Sequence, residues 1–219
     1  MAAIPKPAST VVLMDDESRI YLTKRPETMK FMGGFYVFPG GALENSDKFS
    51  DRVILKNKMD HSFHHSHYIA AARELFEEVG VFLGGRDDGS EPLFKKKSEQ
   101  EYRRQLINGS LTLKDLLYLE DLHLYLDSMQ YFGHMITPES SPIRFDTRFF
   151  LAHLPKGQNP QPDELEIDEA FWITPAEAIE AYQEKRILLA PVTIASLRGI
   201  YDYQQGKPLR IGKIQNFGL

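Results

Sequence analysis

Between Ile69 and Gly80 the chain is written in a helical period. At about 100° per residue, Ile69, Ala72, Leu75, Phe76 and Val79 fall within about 120° of arc. Gly80 follows where a C′ glycine ends a helix. The opposite face carries Glu74, Glu77 and Glu78 at i, i+3 and i+4, so three carboxylates share one surface. Each adjacent like-charged pair costs a few tenths of a kcal/mol even in an exposed helix. Any fold of this chain must therefore cover one face of the helix and offset the charge on the other. Hard divalent cations with oxygen ligands are one answer, and Mg²⁺ in particular binds through a few carboxylates plus substrate phosphates. The other answer is a solvated acidic face with Arg73 as its counter-charge.

Composition narrows the surroundings of that helix. The 219 residues carry 26 Lys+Arg against 31 Asp+Glu, a formal charge of −5. An acid excess disfavours broad nucleic-acid binding, which needs a basic face. No apolar run approaches the roughly 18 residues that span a bilayer. The start, MAAIPKPAST, has no apolar h-region, so no signal peptide is expected. With no cysteine, disulfides, thiolate zinc sites and cysteine nucleophiles are excluded together. A cytoplasmic location is the expectation.

The order of elements predicts an α/β (α+β) domain with a mixed sheet, because strands and helices intersperse without a regular βαβ rhythm. Val11–Leu13 and Ile20–Leu22 read as a hairpin across Asp15-Asp16-Glu17-Ser18. Phe35-Tyr36-Val37-Phe38 is β-prone and stops at Pro39-Gly40-Gly41. Residues 90–130 look all-helical: Ser98 to Glu101 is a capping box, Asn108-Gly109 closes that helix, and a second begins at Thr112. Phe145–Ala152 alternates as a strand, and Ala170–Ile173 is another. Thr174-Pro175-Ala176-Glu177 opens a helix to about Lys185, and Pro191 opens the last, through Tyr203.

The string Arg73-Glu74-Leu75-Phe76-Glu77-Glu78-Val79-Gly80-Val81, with Phe38-Pro39-Gly40-Gly41 upstream, resembles the box of the Nudix (MutT-type) hydrolases, G-x5-E-x7-R-E-U-x-E-E-x-G-U, where U is apolar. The second half matches at every fixed position. In the first half Asp47 stands where the family has Glu, and 25 residues separate it from Arg73, an insertion of 18. Leu22-Thr23-Lys24-Arg25-Pro26-Glu27-Thr28-Met29-Lys30, with Gly34 and Phe38–Gly41, is similar to the L-T-x-R-S-x-x-L-R-x3-G-x3-F-P-G-G element of coenzyme A diphosphatases. Pro26, Met29 and Lys30 depart from it. Thr137-Pro138, Arg144–Phe150 and Leu189–Thr193 look like the acyl-CoA branch.

The resemblance implies an α/β/α sandwich over residues 1–219, with insertions at about 48–66 and 90–130. It implies hydrolysis of a diphosphate bridge in a nucleoside diphosphate linked to another moiety. Coenzyme A or an acyl-CoA is the favoured substrate; ADP-ribose, NADH or a nucleotide sugar is the alternative, and a non-catalytic ligand sensor a third reading. Mg²⁺ or Mn²⁺ would be held by Glu74, Glu77, Glu78 and the backbone carbonyl of Gly40, with Arg73 orienting the first helix glutamate. Among the acids of Asp163–Glu169, Glu164 is the candidate general base. Arg25, Lys30, Arg144 and Arg148 are the phosphate candidates, while the role of Asp47 stays open.

Four of the seven histidines, His61, His64, His65 and His67, lie within seven residues. Imidazoles at helical spacing suit zinc or nickel, and a polar loop or helix start is the alternative reading. Lys95-Lys96-Lys97 is a solvated run or a partner for a 3′-phosphate. Leu113, Leu116, Leu117, Leu122 and Leu124 read as the core of the helical insert, with a dimer face or an acyl-chain lid as sharper readings.

Overall fold

A computed structural model of the protein describes residues 3–51, 54–56, 63–90, 92, 94 and 96–212, without the side chain of Lys96. Strand β1 (Lys6–Met14) lies at the centre of the main sheet. It meets β2 (Ile20–Lys24) in the expected hairpin, with Met14 opposite Ile20. The short β3 (Tyr36–Val37) pairs with β2, and β4 (Gly40–Ala42) pairs antiparallel with β1, setting Gly41 opposite Ser9 and Gly40 opposite Thr10. On its other side β1 runs parallel to β9 (Phe145–His153), which pairs antiparallel with β8 (Met129–Ile136). The far edge is β10 (Glu169–Ile173), antiparallel to β2. The sheet is mixed, as its sequence pattern predicts.

Period-two alternation sorts β1 between two cores. Val11 and Leu13 face one side, where they meet helix α1 (Ser66–Val79). Val12 and Met14 face the other, towards α4 (Pro175–Gln183) and α5 (Pro191–Gln204). Strand β9 is shared likewise: Phe150 and Ala152 go to the first core, Phe149 and Leu151 to the second. All four are buried, so the hydrophobic alternation read over Phe145–Ala152 gives way to a strand covered on both faces. The result is an α/β/α sandwich. Ile69, Ala72, Leu75, Phe76 and Val79 are all buried against the sheet. Gly80 stops α1 with φ of 71°, a left-handed conformation glycine adopts at no steric cost. Among the described residues no helix is long and apolar enough to cross a membrane.

The stretch 90–130 is only partly helical, and here the sequence expectation is corrected. Helices α2 (Lys96–Ile107) and α3 (Leu113–Leu119) are present, α3 with Thr112 at its N-cap and a reciprocal bond from Asp115. Then Leu122, Leu124 and Leu126 turn inward at a spacing of two, which is a strand period, with His123 buried on the other side of the chain. That segment forms β7 (His123–Tyr125) and leads into β8. The capping box at Ser98 is not the start of α2, which begins two residues earlier. Phe94 packs on Phe76 and Phe82 at ring distances of 5.4 and 5.8 Å and so fixes where the chain arrives. Leu113, Leu116, Leu117, Leu122 and Leu124 do form core, continuous with the face of α1, whereas Leu119 is exposed. Strand β5 (Leu55–Lys56), from the insertion before α1, pairs with β7, which also pairs with β6 (Gly84–Gly85). Strands from the two insertions thus join β6 in one small sheet.

Candidate functional site

Helix α1 places Glu74, Glu77 and Glu78 on one face because its other face is occupied by the core. Arg73 organises the acids from below. Its side chain is only 4% exposed and reaches five partners. Nε donates to Asp47 Oδ1 at 2.9 Å and Nη2 to Asp47 Oδ2 at 3.2 Å, a two-pronged pair. Nη2 also donates to the Ala42 carbonyl at 3.0 Å and lies 3.0 Å from Glu74 Oε1. Nη1 donates to Glu77 Oε2 at 2.9 Å, with Glu44 Oε1 at 3.9 Å. Burial would lower the Arg73 guanidinium, but the Asp47 hydrogen bond and the surrounding carboxylates outweigh it and raise its pKa. Asp47, whose role the sequence left open, is thereby the buried anchor of Arg73. It is itself held by the Glu44 N–H at 2.8 Å.

Glycine makes room for the first carboxylate. A Cβ on Gly41 would lie 2.5 Å from Glu74 Oε1, so a larger residue there would displace that carboxylate from its place beside Arg73. The backbone of Gly40 hydrogen-bonds to Glu78, which ties the third glutamate to the same turn. Burial pushes Glu74 up to about 7 and Glu77 up to about 8, even with the Arg73 charge beside them. Burial, with the charges of Glu74 and Glu166, holds Glu78 well above the usual carboxylate range. Burial is the larger cause at all three, and the neighbouring carboxylates add to it.

The loop before β10 supplies a fourth acid, and it is not the expected one. Glu164 is exposed. Glu166 is half-buried and faces Glu74 and Glu78; burial and the Asp163 charge raise its pKa, against the pull of Arg25 and Arg103. Backbone bonds turn the loop this way: Gln161 N–H donates to the Val79 carbonyl at 2.7 Å and Asp163 N–H to the Glu78 carbonyl at 2.8 Å, while Ile167 is buried. Nothing in the acidic run marks Glu166 except its place beside Ile167.

The four cationic candidates separate. Arg25 turns its charge towards Glu78 and Glu166 while its Nε bonds to the Phe31 carbonyl at 3.2 Å. Lys30 is exposed on the following loop and has no carboxylate partner among the described residues. Arg144 is used structurally, donating to the carbonyls of Thr137 at 2.9 Å and Ala3 at 2.7 Å. Arg148 is paired with Asp146, which also binds His134, and stacks over Phe63. Arg144 and Arg148 are thus engaged within the chain, whereas Arg25 lies beside the carboxylates.

The histidines are likewise spoken for. His64 Nδ1 meets Ser66 Oγ, His65 Nε2 meets Ser50 Oγ and the Phe49 carbonyl, and His67 Nδ1 meets Ser9 Oγ and the Ala8 carbonyl. They are the polar start of α1; His61 lies outside the described residues. So do Lys95 and the side chain of Lys96, while Lys97 is exposed.

Among the described residues no group of three or more His, Asp or Glu side chains is arranged so that it could hold a metal ion by itself. The donor set nevertheless fits one kind of ion. Glu74, Glu77, Glu78 and Glu166 are all hard carboxylate oxygens with raised pKa values. Mg²⁺ keeps several waters and completes its shell with substrate phosphates, so it needs no preformed protein cage.

A glutamate-bearing helix beside a glycine turn, on a mixed sheet between helical layers, is a Nudix architecture. The chain belongs to the NUDT19 Nudix domain family, whose family model matches residues 56–200. It is similar to the acyl-coenzyme A diphosphatase NUDT19 of Homo sapiens, 26% identical over 84% of this chain and 61% of that protein. The Xenopus laevis protein of the same name is 24% identical over 78% of this chain and 57% of its own length. The chain thus spans less than two thirds of these curated relatives. The crystal structure of a NUDIX hydrolase from Alicyclobacillus acidocaldarius superposes with a TM-score of 0.82 and 25% identity, covering 96% of this chain and 99% of that one.

Proposed function

We propose that this chain is a divalent-metal-dependent hydrolase that cleaves the diphosphate bridge of coenzyme A or an acyl-CoA. The observation that carries the reading is the grouping of Glu74, Glu78 and Glu166 beside the Gly40–Gly41 turn, with Arg73 and Arg25 as the facing cations. The relatives named above as acyl-coenzyme A diphosphatases support the substrate class.

A bound Mg²⁺ or Mn²⁺ would supply neutralising charge at the diphosphate and acidify water. Glu74 and Glu78, flanked by Glu77, would hold it beside the Gly40 backbone. Arg73 keeps Glu74 and Glu77 in place through charge-assisted bonds. Glu166 is the candidate to take the proton from the attacking water, since it faces Glu74 and Glu78 from the loop and burial makes its carboxylate a stronger base than a free one. Water adds to one phosphorus, the bridging P–O bond breaks, and its electrons leave on the other phosphate. The products from coenzyme A are 3′,5′-ADP and 4′-phosphopantetheine.

Lys30 is the candidate for the 3′-phosphate, being exposed and without a carboxylate partner among the described residues. One charged contact is worth about 1.5–3 kcal/mol, or roughly ten- to a hundred-fold in rate. The test compares kcat/KM for coenzyme A, its 3′-dephospho form and ADP-ribose with Mg²⁺, products being read by phosphorus NMR. Coenzyme A should lead by that factor, and Lys30→Ala should erase the lead. Equal rates for the first two substrates would show that the 3′-phosphate is not read. Faster turnover of ADP-ribose would move the function to that class, and no turnover of any would favour a sensor.

A further inference from the structure

The last four carbonyls of a helix have no partner within it. In α1 these belong to the turn that carries Glu77 and Glu78, and each has found a donor. Gly80 N–H takes the Phe76 carbonyl at 2.9 Å, and Gln161 N–H takes that of Val79 at 2.7 Å. The two between them are taken by one side chain from the insertion. Arg103, on α2, donates from Nε to the Glu77 carbonyl and from Nη2 to the Glu78 carbonyl, each at 3.0 Å. It is 5% exposed, and Glu99 Oε1 lies 3.7 Å from its Nη1. The Glu78 carbonyl accepts a second bond, from Asp163 N–H at 2.8 Å, so the loop leading to Glu166 is fastened at the same atom. Gly80 leaves the space: a Cβ there would lie 2.6 Å from Glu99 Oε1 and 3.1 Å from Arg103 Nη1.

We infer that Arg103 is a positioning residue that fixes the turn bearing Glu77 and Glu78 relative to the Glu166 loop, so that the α2 insertion is a buttress of the site. The inference rests on the hydrolase reading above. Its physical basis is the guanidinium fork. Two donors held in one plane can span two successive carbonyls, which a lysine ammonium does not reproduce. The positive group also sits at the negative end of α1, where a cation is favoured. Arg103 touches neither substrate nor reacting atoms on this reading. Its effect is on where the carboxylates stand, and a displacement of about 1 Å costs on the order of a hundred-fold in rate.

The experiment compares wild type, Arg103→Lys and Arg103→Ala. Folding is followed by thermal melting with circular dichroism, Mn²⁺ affinity without substrate by calorimetry, and kcat and KM with coenzyme A. Arg103→Lys should remain folded, with kcat down roughly ten- to a hundred-fold, KM nearly unchanged and Mn²⁺ binding weakened by a similar factor. Millimolar guanidinium should restore part of kcat to Arg103→Ala. Wild-type kcat and Mn²⁺ affinity in Arg103→Lys would overturn the inference. So would an unfolded Arg103→Lys chain, or losses that only track the unfolded fraction, because the contact would then serve stability alone. If the wild type hydrolyses nothing, the hydrolase reading fails by itself, and the Mn²⁺ affinities still decide whether Arg103 positions the carboxylates.

Discussion

Arg73 shows why single residues here cannot be read alone. It is a buried cation shared closely among Asp47, Glu74 and Glu77, with the Ala42 carbonyl as an uncharged partner and Glu44 farther off at 3.9 Å. Removing one partner of a buried pair costs about 3–5 kcal/mol when the charge is left bare. Because two glutamates remain beside Arg73, Asp47→Ala should fall at the low end, about 3 kcal/mol by urea unfolding. Activity should fall too, as the guanidinium drifts from Glu74. The two loop acids give a sharper contrast. Glu166→Gln should lower kcat by about two to four orders of magnitude, the usual worth of a general base, whereas Glu164→Gln should leave the rate unchanged. Equal effects of the two in steady-state assays would remove Glu166 from its role. The helix glutamates were legible because a 3.6-residue period alone puts them on one face. Glu166 was not, since a loop has no period and its direction is set by bonds from Gln161 and Asp163 to the end of α1.

At the scale of elements, local signals succeed where tertiary contacts agree with them. Thr112 and Thr174 cap their helices with reciprocal bonds from Asp115 and Glu177, as their spacing predicts. The box at Ser98 has the same spacing and is bypassed, because Phe94 packs on Phe76 and Phe82 and brings α2 in earlier. The leucines after α3 mislead in another way. Leucine is helix-prone, but Leu122, Leu124 and Leu126 recur at two and not at three or four. Arg103 carried a signal that is visible in retrospect: it sits three residues before the buried Leu106, on the covered stripe of α2, where a cation needs a partner. The small sheet joining the insertions gives a stability test. Leu124 is fully buried in β7, between β5 and β6, so Leu124→Ala should cost about 2–5 kcal/mol in denaturant melts. A loss under 1 kcal/mol would show that this sheet is dispensable to the fold.

Across the whole molecule the buried carboxyls of α1 are the groups whose titration bears most on folding, and pH should reveal it. Glu74, Glu77 and Glu78 have folded-state pKa values raised above the unfolded carboxylate value. The folded chain therefore binds more protons than the unfolded one above pH 4.5, and stability falls as pH rises. His64 and His67 act oppositely, since their lowered values favour folding as pH rises, but only up to about pH 6.5, the unfolded imidazole value. Between pH 6.5 and 8 the glutamates govern. In EDTA, urea unfolding should show a loss on the order of 2 kcal/mol across that window, and saturating Mg²⁺ should flatten it. A metal-free stability that rises over the same window would contradict the burial of these charges. The most direct measurement is coenzyme A hydrolysis followed by phosphorus NMR, against Mg²⁺ concentration, for wild type and Glu78→Gln. The wild type should release 3′,5′-ADP only with the divalent ion, and Glu78→Gln should be slower by about a hundred-fold or more while melting in EDTA no earlier than wild type. Full turnover by Glu78→Gln at saturating Mg²⁺, or wild-type cleavage in EDTA, would show that the carboxylate face of α1 is not a metal centre.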